Sequence, residues 1–322
     1  MDVICIGELL IDFPPMQSGV RFEQVEEFRR VPGGAPANVA VGISRLGLKA
    51  AFIGRVGEDR FGRYLASVLE NNGVDISLLQ FDSRARTTLA FFSLPTPNTR
   101  EFLFYRNPGA DMNLDYREFD TDFIERAGIC HFGSITLIDE PGRTSTYKAV
   151  EIARRSGAVI SYDPNFRPML WSSREQAKKV ISSAVPLADI IKVSEEELEL
   201  ISGTGDFDRG SKMILDMGPG ICLVTRGDKG SYYAAGGFSG HFPACNVDTV
   251  DATGCGDSFV SGILKGIIAE GIEVLRGSRD RLVEVLKFAS AAAAITATKK
   301  GVIPSLPTRD EVEVFLSGRG TG

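Results

Sequence analysis

Short apolar runs rich in β-forming residues alternate along the chain with segments of helical periodicity. The apolar runs cover residues 3–6, 51–53, 129–132, 159–162, 190–193 and 221–224. One helical segment has apolar residues at the three-and-four spacing of a buried face, namely Leu282, Val285, Leu286, Ala289, Ala292 and Ala293. This alternation predicts an α/β fold with a mostly parallel central sheet that helices cover on both faces.

Two stretches, residues 13–32 and 87–107, interrupt the alternation and look like strand pairs. In the second stretch, the apolar residues 89–92 and 102–105 flank a turn at residues 95–98, with the sequence PTPN. We predict that the two stretches form a small β-lid and that residues 1–12, 33–86 and 108–322 form the main α/β domain. The lid has more aromatic residues than an exposed hairpin needs, so we expect it to pack against a second copy in a homodimer or to close over a ligand.

The charge and the cysteines narrow the classes of partner. The 322 residues carry a formal net charge of −6, and the isoelectric point is about 5.2. This leaves no basic field for a nucleic-acid backbone, so we expect no nucleic-acid partner. The five cysteines are scattered, mostly within apolar runs, which is typical of buried thiols in a reducing compartment. No basic leader precedes the first apolar run and no apolar stretch reaches about 18 residues, so we expect a cytoplasmic protein with no membrane partner.

A glycine-rich turn covers residues 251–257, with the sequence DATGCGD, and a helical pattern follows it. Small residues at a helix start leave backbone N–H groups open where the helix macrodipole is positive, which makes an anion hole for a transferring phosphoryl group. Asp257 is either a carboxylate that stabilises the helix N-terminus or a base that takes a proton from a hydroxyl attacking a γ-phosphate. The neighbouring anion hole favours the base.

A second glycine turn covers residues 32–38, with the sequence PGGAPAN, and also leads into a helical pattern. Gly33 and Gly34 would let a ligand approach the backbone closely, and the Asn38 amide can donate to and accept from hydroxyls. A tight strand-to-helix turn explains the same glycines. Asp12 ends the first strand-like stretch, at the sheet edge where α/β proteins bind ligands, although such an aspartate also serves to solvate a turn.

Other phosphate and metal motifs are missing from the sequence. It has no Gly-Lys dipeptide and no glycine fingerprint after the first apolar run, so neither a Walker-type phosphate loop nor a nicotinamide site is indicated. His131 and His241 have no neighbours at metal-ligand spacing, so we expect both to be structural and predict no zinc site.

The glycine turn at residues 32–38, followed far along the chain by the one at residues 251–257, makes the sequence similar to the ribokinase-like (PfkB) carbohydrate kinases from about residue 3 to residue 307. Within that family it most resembles the fructokinases, through residues 7–13, 104–112 and 161–167. The resemblance implies a ribokinase-like fold with ATP and a sugar as substrates. It also implies that Asp257 is the base and that the backbone of Gly254, Cys255 and Gly256 forms the anion hole. The residues that it places at the sugar are Asp12, Gly33, Gly34, Asn38, Arg106 and Arg167, although the two arginines also suit surface ion pairs.

The same resemblance implies a nucleotide side and two metal sites. The nucleotide residues would be Ser194, Glu197, Thr225, Gly227, Gly230 and Ser290. Glu197 would organise Mg²⁺ through water, although Ser194 followed by Glu197 also fits a helix cap. Potassium would be held by Asp251, Thr253, Gly301 and Ser305, although a glycine and proline turn that caps a helix would look the same.

The sequence therefore predicts transfer of the ATP γ-phosphate to the 6-hydroxyl of fructose. A kinase for 2-keto-3-deoxygluconate, ribose or a nucleoside is an open alternative, because residues outside the motifs set the choice of sugar. A non-catalytic sugar-binding or regulatory protein is a second alternative, suggested by Ser194, Ala252 and Cys255, which depart from the family pattern. The anion hole uses backbone N–H groups that any small residue retains, so we expect activity to survive the last two departures.

Overall fold

The computed structural model describes residues 1–96 and 99–318, and of residues 99 and 100 it describes only the backbone. Its strands, in chain order, are β1 Val3–Ile6, β2 Leu10–Phe13, β3 Val31–Gly33, β4 Ala50–Gly57, β5 Val74–Asp75, β6 Leu79–Asp82, β7 Leu89–Thr96, β8 Thr99–Tyr105, β9 Ile129–Phe132, β10 Val159–Tyr162, β11 Ile190–Ser194, β12 Ile221–Thr225, β13 Ser231–Ala235 and β14 Phe238–Phe242.

The larger sheet has the order β14-β13-β12-β11-β10-β9-β1-β4-β5, and β6 pairs with β4. Neighbours from β12 to β5 are parallel, whereas β13 and β14 are antiparallel. The predicted apolar runs all become strands of the parallel part, as their β-branched and apolar composition favours. The mostly parallel sheet is confirmed.

Helices cover this sheet on both faces. The α-helices are α1 Ala35–Arg45, α2 Arg60–Asn71, α3 Thr121–Glu125, α4 Gly142–Arg155, α5 Arg174–Ala184, α6 Glu195–Ser202, α7 Phe207–Leu215, α8 Cys255–Glu270, α9 Ile272–Gly277, α10 Arg279–Ala297 and α11 Arg309–Leu316. The 3₁₀ turns are Phe22–Gln24, Ala110–Asn113, Tyr116–Glu118, Ile135–Leu137, Pro168–Leu170, Val185–Leu187, Gly227–Lys229 and Ile303–Ser305. Within the described ranges, no helix is both long and apolar enough to cross a bilayer.

The side chains of β1 alternate between two hydrophobic cores. Ile4 and Ile6 belong to the core on one face of the sheet, and Val3 and Cys5 to the core on the other. This period of two is what a strand with both faces covered requires. The predicted buried helix is α10, which packs on α8 where Gly262 leaves no room for a side chain against Ala289.

The smaller sheet has the order β3-β2-β7-β8. β7 and β8 occupy the predicted second stretch, but residues 97 and 98 of the predicted turn lie outside the described residues. In the first predicted stretch, β2 and β3 form an antiparallel pair, and an isolated antiparallel bridge joins Pro15 to Phe28 beyond it. The pairing is irregular there, because Pro14 and Pro15 follow β2 directly and proline has no N–H group to donate to a ladder.

The strand-like residues 3–13 at the start of the sequence are divided between the two sheets. β1 lies in the larger sheet, and Asp12 lies in β2 of the smaller one, paired with Val31 and Ala90. The expectation that Asp12 ends a strand of the main sheet is therefore wrong. The break falls at residues 7–9, which separate β1 from β2.

Candidate active site

A cavity of about 270 Å³ lies between the carboxyl ends of the parallel strands and the smaller sheet. The parallel strands and the segments that follow them contribute Glu8, Ile135, Asn165, Arg167 and Lys192, and the smaller sheet contributes Leu10, Asp12, Phe92, Phe102 and Phe104. The two glycine turns and a nearby loop contribute Gly34, Ala35, Asn38, Ala252, Thr253, Gly254, Gly256, Asp257 and Val302. The carboxyl edge of a parallel sheet is where α/β proteins bind ligands, so this cavity is the candidate active site.

The glycine turn at residues 251–257 places the start of α8 at the cavity. Gly254 precedes the helix with a φ of 84°, and a Cβ there would overlap the side chain of Val302. In the described part of the chain, the amides of Gly256 and Asp257 find no hydrogen-bond acceptor. Open amides at the positive end of a helix macrodipole are suited to an anion. Of the three residues predicted to form the anion hole, namely Gly254, Cys255 and Gly256, Gly256 has one of these open amides, whereas the Cys255 amide donates to the Ala252 carbonyl.

Asp257 lies in the first turn of α8 and faces the same cavity. Its Oδ2 accepts a hydrogen bond of 2.8 Å from Nδ2 of Asn38. The net pKa of Asp257 is raised to about 7, and burial is the largest cause. The charge of Asp163 also raises this pKa, whereas the hydrogen bond from Asn38 and the charges of Lys192 and Arg167 lower it. A carboxyl group that titrates near neutral pH is well matched to proton abstraction from a hydroxyl.

Asn38 joins the two glycine turns, because it lies on α1 and contacts Asp257 on α8. The residue is 5% exposed. Its Oδ1 atom is buried and has no hydrogen-bond partner among the described residues. A buried acceptor without a partner is costly in a folded protein, so a ligand hydroxyl at this point would complete its hydrogen bonding.

Glu8 closes the first turn of α1, and the described residues show no counterpart of this contact at α8. It is 2% exposed, and its Oε1 accepts a 2.9 Å hydrogen bond from the amide of Ala35. The net pKa of Glu8 is raised to about 7, and burial is the largest cause. Hydrogen bonds from the amides of Glu8 and Ala35 and the charge of Arg167 lower this pKa, whereas the charge of Asp111 raises it. Gly34 has a φ of 115°, and a Cβ there would overlap the backbone carbonyl of Glu8.

The predicted sugar residues have different positions. Asp12, Gly34, Asn38 and Arg167 line the cavity, and Nη1 of Arg167 donates to the Phe166 carbonyl at 3.3 Å. Gly33 lies behind them, with no room for a side chain beside the Asp12 carboxylate.

The structure does not bring Arg106 to the cavity surface among the residues it describes. Its Nε atom pairs with Oδ2 of Asp111 at 2.7 Å, in an ion pair whose side chains are 6% and 1% exposed. Thr88 donates to the other oxygen of Asp111. Arg106 thus forms an ion pair, as one of the two interpretations of the sequence has it, but the pair is buried rather than on the surface.

Cys255 lies within the α8 turn but is not part of the described cavity surface, whereas its neighbours Gly254 and Gly256 are. Burial, together with the charges of Asp251 and Asp257, raises the pKa of its thiol to about 12. The thiol is therefore protonated at neutral pH, and the amide of Cys255 donates to the Ala252 carbonyl at 3.3 Å. A contribution of Cys255 to the anion hole stays a prediction.

The predicted nucleotide residues also lie off this cavity surface, as far as the chain is described. Ser194 and Glu197 form a helix cap in which each side chain accepts the amide of the other residue, and Oε1 of Glu197 also accepts from Phe166 at 2.6 Å. The helix-cap interpretation is thus what the contacts show. Of the other predicted nucleotide residues, Thr225, Gly227 and Gly230 lie at or next to the turn after β12. Ser290 lies on α10.

Three of the four predicted potassium residues lie together. Asp251 accepts from the amide and hydroxyl of Thr253 at 2.9 and 2.6 Å, and from the amide of Gly301 at 3.3 Å. Ser305 is buried in the 3₁₀ turn that follows, where its hydroxyl donates to the Val302 carbonyl at 2.7 Å. Among the described residues, no three His, Cys, Asp or Glu side chains cluster as metal ligands, so a cation here would depend on Asp251 and backbone carbonyls.

Sequence reasoning missed several cavity residues, although some carried a signal. Lys192 is a charged residue inside an otherwise apolar run, and Glu8 directly follows a buried strand and a glycine. Asn165 has a φ of 47°, a left-handed conformation that is uncommon outside glycine. The aromatic wall of the cavity depends on strand register, which places Phe92 and Phe102 on the inner face of the smaller sheet with ring centroids 5.2 Å apart.

Comparison with known proteins gives concordant results. A sequence profile described as "pfkB family carbohydrate kinase" matches residues 1–309. Fructokinase-1 of Zea mays is 49% identical over 311 residues, covering 96% of each chain. The fructokinase of Xylella fastidiosa with bound ATP superposes with a TM-score of 0.91 at 30% identity, covering 99% of each chain. A double-mutant fructokinase of Vibrio cholerae O395, bound to fructose, ADP and potassium, has a TM-score of 0.86 at 33% identity, covering 98% of each chain.

Proposed function

The chain belongs to the pfkB family of carbohydrate kinases, and we propose that it transfers the γ-phosphate of ATP to the 6-hydroxyl of fructose. The observation that carries this proposal is the cavity itself, which holds a carboxyl group with a pKa of about 7 in the same helix turn as open amides. The ligands of the related fructokinases, fructose with ADP in one and ATP in another, support the choice of substrates.

In the proposed reaction, the fructose hydroxyl lies between Asp257 and the γ-phosphate. The hydroxyl oxygen forms a bond to phosphorus, the bond from phosphorus to ADP breaks, and the hydroxyl proton passes to the Asp257 carboxylate. The bond from Asn38 holds Oδ2 of Asp257 in place. The amides of Gly256 and Asp257 stabilise the charge on the phosphoryl oxygens.

Sugar binding is proposed to use the polar side chains of the cavity wall. Asp12, Arg167 and the unpartnered Oδ1 of Asn38 supply donors and acceptors for hydroxyls. Phe92 and Phe102 of the smaller sheet cover the other side of the cavity. We propose that residues 13–32 and 87–107 act as a lid that excludes water from the phosphate.

Magnesium is proposed to enter with the nucleotide, and it would neutralise phosphate charge there. Glu197 does not fit direct coordination, because it is buried and both its carboxylate oxygens already accept backbone amides. Its action on Mg²⁺ through water stays a prediction, as does nucleotide contact by Ser194, Thr225, Gly227, Gly230 and Ser290.

Potassium is proposed to bind where Asp251, Thr253 and Gly301 meet, with Ser305 in the adjoining turn. The potassium in the related Vibrio cholerae protein supports this proposal. A bound cation there would hold the turn before α8 in position. Turnover should rise when sodium is replaced by potassium, and equal turnover in both salts would remove the proposal.

We also propose a homodimer that pairs the outer faces of the smaller sheets. Leu103 and Tyr105 on this face are 42% and 62% exposed, and Phe91 packs against Phe13 and Tyr105 beneath them. Exposed aromatic groups of this kind are typical of subunit contacts. Light scattering at micromolar concentration should show a dimer, and Tyr105→Asp should shift it toward monomer.

A cytoplasmic location is proposed from the thiols. Cys5, Cys130 and Cys222 are buried, and the described cysteines form no disulfide. Unpaired thiols are typical of a reducing compartment.

The kinase proposal is tested by ADP release from the wild type with ATP, Mg²⁺ and a panel of fructose, ribose, 2-keto-3-deoxygluconate and a nucleoside. Turnover with fructose supports the proposal. Turnover with another sugar alone would keep the mechanism and change the acceptor. Sugar binding without turnover would favour the non-catalytic alternative.

A further inference from the structure

Lys192 is a charged side chain at the cavity that the proposed mechanism does not use. It lies in β11 between Ile191 and Val193, which are fully buried in the core. Its own side chain is 12% exposed and lines the cavity together with Gly256 and Asp257. A lysine is rarely buried to this extent in a strand unless its charge has a partner.

The partner of Lys192 is Asp163, which follows the neighbouring strand β10. The Nζ atom donates to Oδ1 and Oδ2 of Asp163 at 3.1 and 3.0 Å. On the other side, Nζ lies 3.4 Å from the position that a Cβ of Gly256 would occupy. The ammonium group is thus held between a buried carboxylate and the first turn of α8.

Lys192 is positively charged at neutral pH. Burial lowers its pKa, but the charges of Asp163, Glu197 and Asp257 raise it, and the net effect is a pKa above the ordinary value. The carboxylate of Asp163 is 4% exposed, so little water reaches the ion pair. A fixed cation in such a site acts on a nearby anion more strongly than an exposed lysine would.

The anion hole at α8 otherwise consists of neutral donors. A transferring phosphoryl group carries its charge on several oxygens, which amides alone meet only with partial charges. An ammonium group has three N–H donors. We infer that Lys192 is the charged member of the anion hole, and that its Nζ donates to the transferring phosphoryl group while Asp163 keeps the side chain in position.

This inference rests on the proposed function, since it names the group that meets the phosphoryl oxygens in that reaction. Lys192 forms hydrogen bonds only and neither gives nor takes a proton, so the bonds that form and break are unchanged. The competing explanation is that Lys192 serves only to neutralise the buried Asp163. That explanation predicts that removing both charges together restores the enzyme.

The experiment compares Lys192→Met with the double variant Lys192→Met/Asp163→Asn, in which neither charge remains. Lys179→Met, on the exposed face of α5, is the matched control. Thermal unfolding gives the folded state of each variant, and ADP release gives kcat and the KM values for ATP and fructose. The double variant decides the matter if the single variant fails to fold.

Both Lys192 variants should lose ~10²- to 10³-fold in kcat, because a transition-state donor has gone, while the KM for fructose stays unchanged. Wild-type kcat in the double variant would overturn the inference and leave Lys192 as the counter-ion of Asp163. Wild-type kcat in Lys192→Met would overturn it as well. If the wild type itself has no turnover with any sugar, the proposed function fails instead.

Discussion

Two glycine turns open helices at the same cavity, but the amides of their first helical turns meet different partners. At α1, the amide of Ala35 donates to the buried carboxylate of Glu8. At α8, the amides of Gly256 and Asp257 meet no acceptor within the described residues and face the cavity. Both turns need a glycine with positive φ, 115° at Gly34 and 84° at Gly254.

The difference shows how one local device serves two purposes. A helix N-terminus attracts negative charge, and whichever anion is nearest satisfies it. At α1 the buried carboxyl group of Glu8 accepts from the amide of Ala35, so this turn is closed. At α8, no acceptor among the described residues meets the amides of Gly256 and Asp257, and we propose that a substrate phosphate binds there. The bond between Asn38 and Asp257 then ties the closed turn to the open one.

The largest expected effect separates the carboxylates of the two turns. Asp257→Asn keeps the shape of the side chain but removes the base, so kcat should fall ~10²- to 10⁴-fold. Glu8→Gln, the matched change at the other turn, should lose less than about tenfold, because that carboxylate acts through position alone. ADP release measures both, and similar losses in the two variants would contradict the distinction.

The pH dependence of turnover should follow the proposed base. Asp257 must be ionised to accept a proton and has a pKa of about 7, so kcat/KM should rise roughly tenfold per pH unit up to that value and then level off. Glu8 also has a pKa of about 7, and Glu8→Gln therefore serves as the control. If Glu8→Gln keeps the rise of kcat/KM below pH 7, that rise belongs to Asp257. If the variant loses the rise, the rise belongs to Glu8.

Substituting alanine for Gly34 and for Gly254 should show whether a clash with backbone costs more stability than a clash with a side chain. At Gly34 the new Cβ meets the backbone carbonyl of Glu8, whereas at Gly254 it meets the side chain of Val302, which can rotate. Gly47 has a φ of 86° and nothing within 4 Å, so Gly47→Ala measures the conformational cost alone. We expect losses in the free energy of unfolding of ~1 kcal/mol at Gly47, ~2 at Gly254 and ~3 or more at Gly34. Denaturant unfolding gives the order, and a smaller loss at Gly34 than at Gly254 would refute it.

The smallest effect concerns how the stability of the closed turn depends on pH. Burial raises the pKa of Glu8 from 4.5 to about 7, so its contribution to stability is complete below pH 4.5 and is lost as the pH rises through 7. Glu8→Gln has no such titration. Its free energy of unfolding relative to the wild type should therefore increase between pH 5 and pH 8, and a constant difference over that range would contradict the buried state of Glu8.

The sequence by itself determined those features that depend on local periodicity and turn chemistry. The alternation of strands and helices, the boundaries of β1, β9 and β10, and the two helix starts after glycine all follow from residues close together in the chain. Ser194 and Glu197 could likewise be interpreted as a helix cap, because the capping pattern spans only three residues.

Only the tertiary structure decided what each of these local features meets. Glu8 reaches Ala35 across 27 residues, Asn38 reaches Asp257 across 219, and Lys192 reaches Asp163 across 29. Arg106 turns to Asp111 instead of the cavity because the ion pair satisfies both buried charges. A helix start offers the same open amides in any sequence, and strand order decides whether a carboxylate, a lysine or a cavity lies in front of them.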